Sequence, residues 1–257
     1  MAKYAVVIAI VIAAVAVGAI AYYYASHYGQ PRLASTTSTS IATSSTPSTT
    51  VSATSVATTS ATLATSSTTQ AQLSQDEIEA IKYMAEEEKL ALDVYTKLAQ
   101  MYPSVKVFSN IAKSEQTHVN AVLSLAKKYG INITLGPPGK FSNPHLQELY
   151  NKLIEEGSKG LEQALKVGAL IEETDIKDLQ EWIAKVHHED IKQVFECLMM
   201  GSRNHLRAFV STLEKMFHTT YTPQVISKQE FEKIISSPME TGPSNTCANL
   251  GINIGTK

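Results

Sequence analysis

Four long stretches of this chain carry an apolar residue at every third or fourth position. Each of the four apolar lines is broken near its middle by a carboxylate or an imidazole. That spacing is the period of one helix face. The first line runs through Ile78, Ile81, Met84 or Ala85, Glu88, Ala91, Tyr95 and Leu98. The second runs through Phe108, Ile111, Glu115, His118, Val122 and Leu125. The third is Leu161, Leu165, Gly168, Glu172, Ile176, Leu179, Ile183 and Val186, and the fourth is Ile191, Val194, Leu198, Gly201 or Ser202, His205, Phe209 and Leu213. Helices with one apolar face must bury that face against another element. The expectation is an all-α fold in which four long helices share one interior.

Local signals place the ends of these helices. Ser74-Gln75-Asp76-Glu77 reads as a capping box and starts the first, which runs to about Met101. Tyr102-Pro103-Ser104 breaks the chain. The second helix spans about Val105 to Tyr129 and closes at Gly130. A connection over 131–142 contains Gly136-Pro137-Pro138-Gly139. Asn143-Pro144 then opens a short helix to about Glu156, with Asn as cap and Pro at the first position. The third long helix is expected over Ser158–Val186 and the fourth over Glu189–Phe217. Ser227-Lys228-Gln229-Glu230 announces a last short helix over 228–236. Residues 237–257 carry Pro238, Gly242 and Pro243 without periodicity and read as a loose, flexible tail.

The N-terminal third is of another kind. Residues 4–24 are almost wholly apolar, about the length of a bilayer-spanning helix. Lys3 favours a cytoplasmic N-terminus, and Tyr22, Tyr23 and Tyr24 suit the far interface. The alternative is a secretory signal, with Ala19-Ile20-Ala21 as a small-x-small site, although the apolar run is long for one. Both readings export the remainder of the chain. Residues 35–69 are Ser and Thr with scattered Ala and Val, without charge or aromatic residues, and cannot repay their conformational entropy by burial. They suit a stalk, bare or O-glycosylated. The organisation expected is a membrane anchor over 1–28, a Ser/Thr-rich linker over 29–72, a helical bundle over 73–236 and the tail. That makes a single-pass cell-membrane protein with its bundle on the extracytoplasmic side. Asn132-Ile133-Thr134 is an N-glycosylation sequon at Asn132.

Composition excludes more than it assigns. A net charge of -2 does not suit a nucleic-acid partner. The cysteines, Cys197 and Cys247, are too few for a disulfide framework and have no Cys-x-x-Cys spacing. A bridge between them is open outside the cell, but Cys197 reads as a small buried residue. Glu86 and Glu87 fall off the first seam and read as solvated. His187-His188-Glu189-Asp190 sits at a helix start, where acidic residues complement the macrodipole. Ser202 with His205 lacks the elbow and oxyanion loop of a hydrolase.

The chemistry lies in the seam interruptions: Glu88, Glu115 with His118, Glu172, and His205. Glu115 and His118 are three residues apart, on one face about one turn apart. Taken singly, each polar seam residue is more simply a satisfied core group. Taken together they are not, because no Lys or Arg lies on any seam to neutralise the carboxylates. Facing carboxylates and imidazoles inside a bundle form the ligand set of di-iron and di-manganese proteins. Such oxygen and nitrogen donors suit iron, manganese or zinc.

These residues resemble the ferritin-like proteins, rubrerythrins in particular. Glu88-x-x-Ala91-x-x-x-Tyr95 and Glu115-x-x-His118 look like their first half-site. Glu86-Glu87-Glu88-Lys89-Leu90-Ala91, Ser114-Glu115-Gln116-Thr117-His118, Ile171-Glu172-Glu173-Thr174-Asp175-Ile176 and Gly201-Ser202-Arg203-Asn204-His205-Leu206 resemble one member group, the family of domain of unknown function 2202, over about residues 72–236. The resemblance implies a ferritin-like up-down four-helix bundle with a long crossover over 131–157. It also implies a carboxylate-bridged metal pair held by Glu88, Glu115, His118, Glu172 and His205, with Tyr95 orienting a carboxylate. The fourth helix departs from the pattern, reading Ser202-x-x-His205 where a second Glu-x-x-His is expected. Asp175, one turn from Glu172, is the candidate replacement carboxylate.

The function expected is metal binding, iron first, with di-metal oxidase or peroxidase-type redox chemistry. Without rubredoxin-like cysteine pairs, such chemistry needs an external electron donor. The alternative is a non-enzymatic surface or interaction module with a degenerate site. A homodimer stays open, and iron storage, which needs a closed shell, does not suit a tethered chain.

Overall fold

The computed structural model describes residues 72–241 and 246–255. The expected anchor and nearly all of the linker lie outside them. Among the described residues the secondary structure is entirely helical, in seven helices: α1 Gln75–Met101, α2 Lys106–Lys128, α3 Pro144–Gly157, α4 Leu161–Ile183, α5 Glu189–Phe217, α6 Lys228–Ser236 and α7 Thr246–Asn249. Among the described residues, no helix is long and apolar enough to cross a membrane.

The local signals account for the ends. The Ser74 hydroxyl accepts from the Glu77 N–H at 3.2 Å, while the Ser74 N–H donates back to Glu77 Oε2 at 2.8 Å, completing a capping box. The box at Ser227 forms only by half. Its hydroxyl caps the Glu230 N–H, but the Glu230 carboxylate turns away to accept from the Gln180 amide. Asn143 caps α3 through its side chain, with Pro144 in the first turn.

The long helices form two hairpins, α1 with α2 and α4 with α5, and the hairpins pack chiefly through α2 against α5. The α4–α5 pairing is antiparallel, with Asp175 against Ser202, Glu172 against His205 and Gly168 against Phe209. The seam residues form the core. Ile81, Met84, Val122, Leu179, Leu198 and Phe209 are all fully buried, at roughly 1.5–3 kcal/mol each for the larger side chains. The short helix α3 lies in the crossover against α1 and α4.

Three expectations need correction. Glu87 is buried rather than solvated, because its position also turns inward against Asp175 and Asp178 of α4, and burial with these charges pushes its pKa well up. Glu86 is half-buried and caps the crossover, accepting from the Ser142 and Asn143 N–H groups at 2.6 and 2.8 Å. Most consequentially, the tail is packed at three of its described residues. Cys247, Ile252 and Ile254 are buried in the main core cluster, and Cys247 is disulfide-bonded to Cys197 of α5 across 50 residues. Nearer α6, Glu240 is held to α5 by Arg203, Asn204 and Arg207.

A bridge closing a loop of this length restricts the unfolded chain and contributes about 3–4 kcal/mol. Reduction is therefore expected to lower the denaturant midpoint by a corresponding amount. Equal midpoints with and without reductant would show that the bridge adds nothing.

Candidate metal centre

Five polar residues meet where the four long helices face one another. They are Glu88 of α1, Glu115 and His118 of α2, Glu172 of α4 and His205 of α5, each at most 2 % exposed. They form two groups of three, Glu88 with Glu115 and His118, and Glu115 with Glu172 and His205. In each group one donor atom per residue lies within 4.8 Å of the others. Glu115 belongs to both. Its Oε2 lies 2.8 Å from His118 Nδ1 and its Oε1 lies 2.8 Å from His205 Nδ1. Each histidine also faces a second carboxylate, His118 Nδ1 at 3.1 Å from Glu88 Oε2 and His205 Nδ1 at 3.5 Å from Glu172 Oε2.

The orientation of the rings is informative. His118 Nε2 lies 3.1 Å from the Asn253 carbonyl, which can only accept, so Nε2 carries the proton. The neutral ring then turns a bare Nδ1 lone pair toward two carboxylates, a repulsive arrangement unless a proton or a cation lies between them. His205 Nδ1 is close to two carboxylates, yet neither contact has hydrogen-bond geometry, and Glu88 Oε1 also lacks a partner. Buried polar atoms without partners are rare and costly. Among the described residues, the ion-pair partners of Glu88, Glu115 and Glu172 are the histidines, with no Lys or Arg among them. These donors fit a divalent ion in each group, with Glu115 placing one oxygen in each.

The electrostatics show the same strain. Burial pushes Glu88 up to about 7 against the pull of His118. Burial also raises Glu172, although His205 opposes it. Glu115 goes the other way: burial acts to raise it, but His118 and His205 on either side hold it below the usual carboxylate range. Burial lowers both histidines, and the carboxylates overcome it, raising His118 well up and His205 to about 9.

The supporting residues fall into place around this core. The Tyr95 hydroxyl donates to Glu172 Oε1 at 2.6 Å, and its ring packs on Phe209 at 5.1 Å between centroids. Ser202 does not face the centre as a ligand. Its hydroxyl donates to Asp175 Oδ2 and to the Leu198 carbonyl. Asp175 is buried with Oδ1 unpartnered, and burial and the charges of Glu88, Glu172 and Glu115 raise it strongly. It lies beside the two groups without belonging to either. Asn132 is exposed in the segment after α2, apart from the centre.

Some participants were not visible in the seam pattern. Gly201 lets α5 approach α2, since a Cβ there would lie 2.6 Å from His118 Cε1 and 2.7 Å from Nε2. Ser114, just before Glu115, and Thr117, just before His118, both bind Asn253. Only their position beside Glu115 and His118 marks them out. The His187-His188 cluster meets the start of α1. Glu77 Oε1 accepts from both backbone N–H groups at 2.8 and 2.9 Å and contacts His188 Nδ1 at 2.7 Å.

The model of an uncharacterized protein domain, DUF2202, matches residues 77–238. The uncharacterized protein MJ0754 of Methanocaldococcus jannaschii is 52% identical over 172 residues, which is 66% of this chain and 92% of that protein. The crystal structure of hypothetical protein MJ0754 from Methanococcus jannaschii is similar with a TM-score of 0.63 at 53% identity, over 65% of this chain and 95% of that one.

Proposed function

The chain belongs to the DUF2202 family, and we propose that it is an exported, membrane-tethered, ferritin-like protein whose bundle binds a pair of metal ions, iron foremost. One observation carries the reading: two buried donor groups share Glu115, one oxygen to each. A single carboxylate placed in this way between two imidazole-bearing groups suits a bridged pair better than two independent ions.

The rest of the site supports the same assignment. Glu88 completes the first group and Glu172 the second, with Tyr95 fixing Glu172 through its hydroxyl. Three carboxylates leave two divalent ions with one unbalanced positive charge. Asp175, buried beside the groups with a free oxygen, would balance it. Ser202 then serves the centre indirectly, by orienting Asp175. Bound iron would supply redox chemistry toward dioxygen or peroxide. The chain itself contributes a dry interior around the donors. Among the described residues both cysteines are tied to each other, which leaves electron supply to an external donor. The disulfide and the apolar N-terminal stretch both suit export to an oxidising compartment. Manganese or zinc fits the donors as well as iron, so metal identity is a matter for the experiment.

The test is metal content and spectroscopy on the full chain, purified without chelator and reconstituted with iron(II). A pair bridged by one carboxylate is expected to bind about two irons per chain and to show magnetic coupling between them. Less than about 0.2 metal per chain would sink the reading, since a preformed site should hold at least one. It would leave the bundle as a surface module on a stalk.

A further inference from the structure

We propose that the backbone carbonyl of Asn253 is a positioning group for His118, delivered by a strap over residues 252–255 that the Cys197–Cys247 disulfide moors across the metal centre. This rests on the metal-centre reading of Glu88, Glu115 and His118.

The strap meets the centre at Asn253 and Gly255 and is seated by the residues between and beside them. Ile252 and Ile254 are buried in the core cluster and fix its depth. Between them, the Asn253 carbonyl accepts from His118 Nε2 at 3.1 Å and from the Ser114 hydroxyl. The Asn253 N–H donates to Thr117 Oγ1 at 2.8 Å. The Asn204 side chain, next to His205, donates to the Ile254 carbonyl at 2.6 Å. Gly255 has a φ of +74° and brings its backbone against the other ring, where a Cβ would sit 3.1 Å from both Cδ2 and Nε2 of His205. Ser114-Glu115-Gln116-Thr117-His118 thus serves two purposes. Glu115 and His118 face the metal site, while Ser114 and Thr117, with the outer nitrogen of His118, grip the strap.

A ligating histidine needs its second nitrogen tied to an acceptor, because that bond sets the tautomer, the ring orientation and the basicity of the ligating nitrogen. For His118 the acceptor is Asn253. His205 Nε2 has no partner among the described residues, so only one of the two groups is supported in this way. The bonds from Ser114, Thr117 and Asn204 are few, and the strap is a short segment without periodicity of its own. The bridge to α5 keeps it near its seat by restricting how far Cys247 can move. The strap lies beyond residues 77–238, which the family model matches.

Cobalt(II) binding by the full chain tests this, with affinity read by chelator competition, geometry by the visible spectrum and strap release by amide exchange at 252–255. The arms are the oxidised chain, the phosphine-reduced chain, Cys247→Ser, and the double variant Ser114→Ala with Thr117→Val, which leaves the bridge intact. Helical circular dichroism verifies folding in each arm. The expected result is fast exchange at 252–255, a changed cobalt spectrum and affinity lower by about tenfold or more in the last three arms, the size of effect found when a histidine loses its outer partner. Slow exchange after reduction would overturn the role of the bridge. Fast exchange with unchanged spectrum and affinity would overturn the role of the carbonyl while leaving the metal centre standing. An oxidised chain that takes up no cobalt would instead remove the metal reading, and the strap proposal with it.

Discussion

Glu115→Gln is expected to cut bound metal from about two per chain to below about 0.2, with affinity at both groups falling more than about 100-fold. No other single substitution in the centre should reach so far. The Glu115 oxygens are divided between the groups, Oε2 beside His118 and Oε1 beside His205, so losing its charge leaves each group with one carboxylate and one imidazole. Glutamine keeps the volume and can still accept a hydrogen bond, so a folded variant is expected. Glu88→Gln provides the contrast. It strips one group only and should leave about one metal per chain, held by Glu115, Glu172 and His205. Equal metal content in both variants would contradict the shared carboxylate, and a Glu115→Gln protein that still holds two ions would contradict the centre as drawn.

Without metal, the protein should lose stability steadily as pH rises from about 5 to 9, by on the order of 3 kcal/mol or more. The direction of the shifts sets the sign. The folded pKa of Glu88 is raised from 4.5 to about 7, so the folded state holds a proton that the unfolded chain gives up. Its contribution is full below 4.5 and is lost as pH passes 7. His205 is raised from 6.5 to about 9, so its contribution is full below 6.5 and is lost as pH passes 9. Glu172, Asp175 and His118 are raised too and act in the same direction. Glu115 and Glu77 are held low, so their contribution is present above their ordinary value and is lost in acid. The metal-free optimum should therefore fall near pH 5. Metal replaces the protons, so the loaded protein should not show the alkaline loss, and the gap in Tm between loaded and metal-free chains should widen with pH. Thermal melts at three pH values with and without metal would measure it. A metal-free chain whose stability is flat or rising between pH 6 and 9 would show that the cluster does not hold protons in place of metal.

The helices and the five central residues were legible in the sequence because their signals are local. A capping Ser, an Asn-Pro start and a three-and-four apolar rhythm act within a few residues of where they are read. The seam also shows which side chains face inward, and so brings Glu88, Glu115, His118, Glu172 and His205 to one interior. What could not be read depends on partners far along the chain. Glu87 looks like one acid in an exposed run until Asp175 and Asp178 are seen opposite it. Glu77 looks like a cap residue alone, although it also receives His187 and His188 from more than a hundred positions away. Ile252 and Ile254 have no helical rhythm and sit among polar residues and glycines. The contacts beside them are a disulfide at Cys247 and a bond from Asn204 to Ile254, neither of which leaves a periodic trace. Gly201 is similar: nothing nearby explains it, and its reason is the His118 ring.

All five residues of the candidate centre precede residues 252–255 in the chain. Glu88 to His205 lie on helices that can pair and close with Cys197 still a thiol, since Cys247 comes 50 residues later. During synthesis the bundle can therefore gather its carboxylates and imidazoles while the face between His118 and His205 stays uncovered. Residues 252–255 and the oxidation of Cys197 come afterwards. The order makes the gathering of the five donors independent of residues 252–255, which can only be added to a bundle that has already brought those donors together.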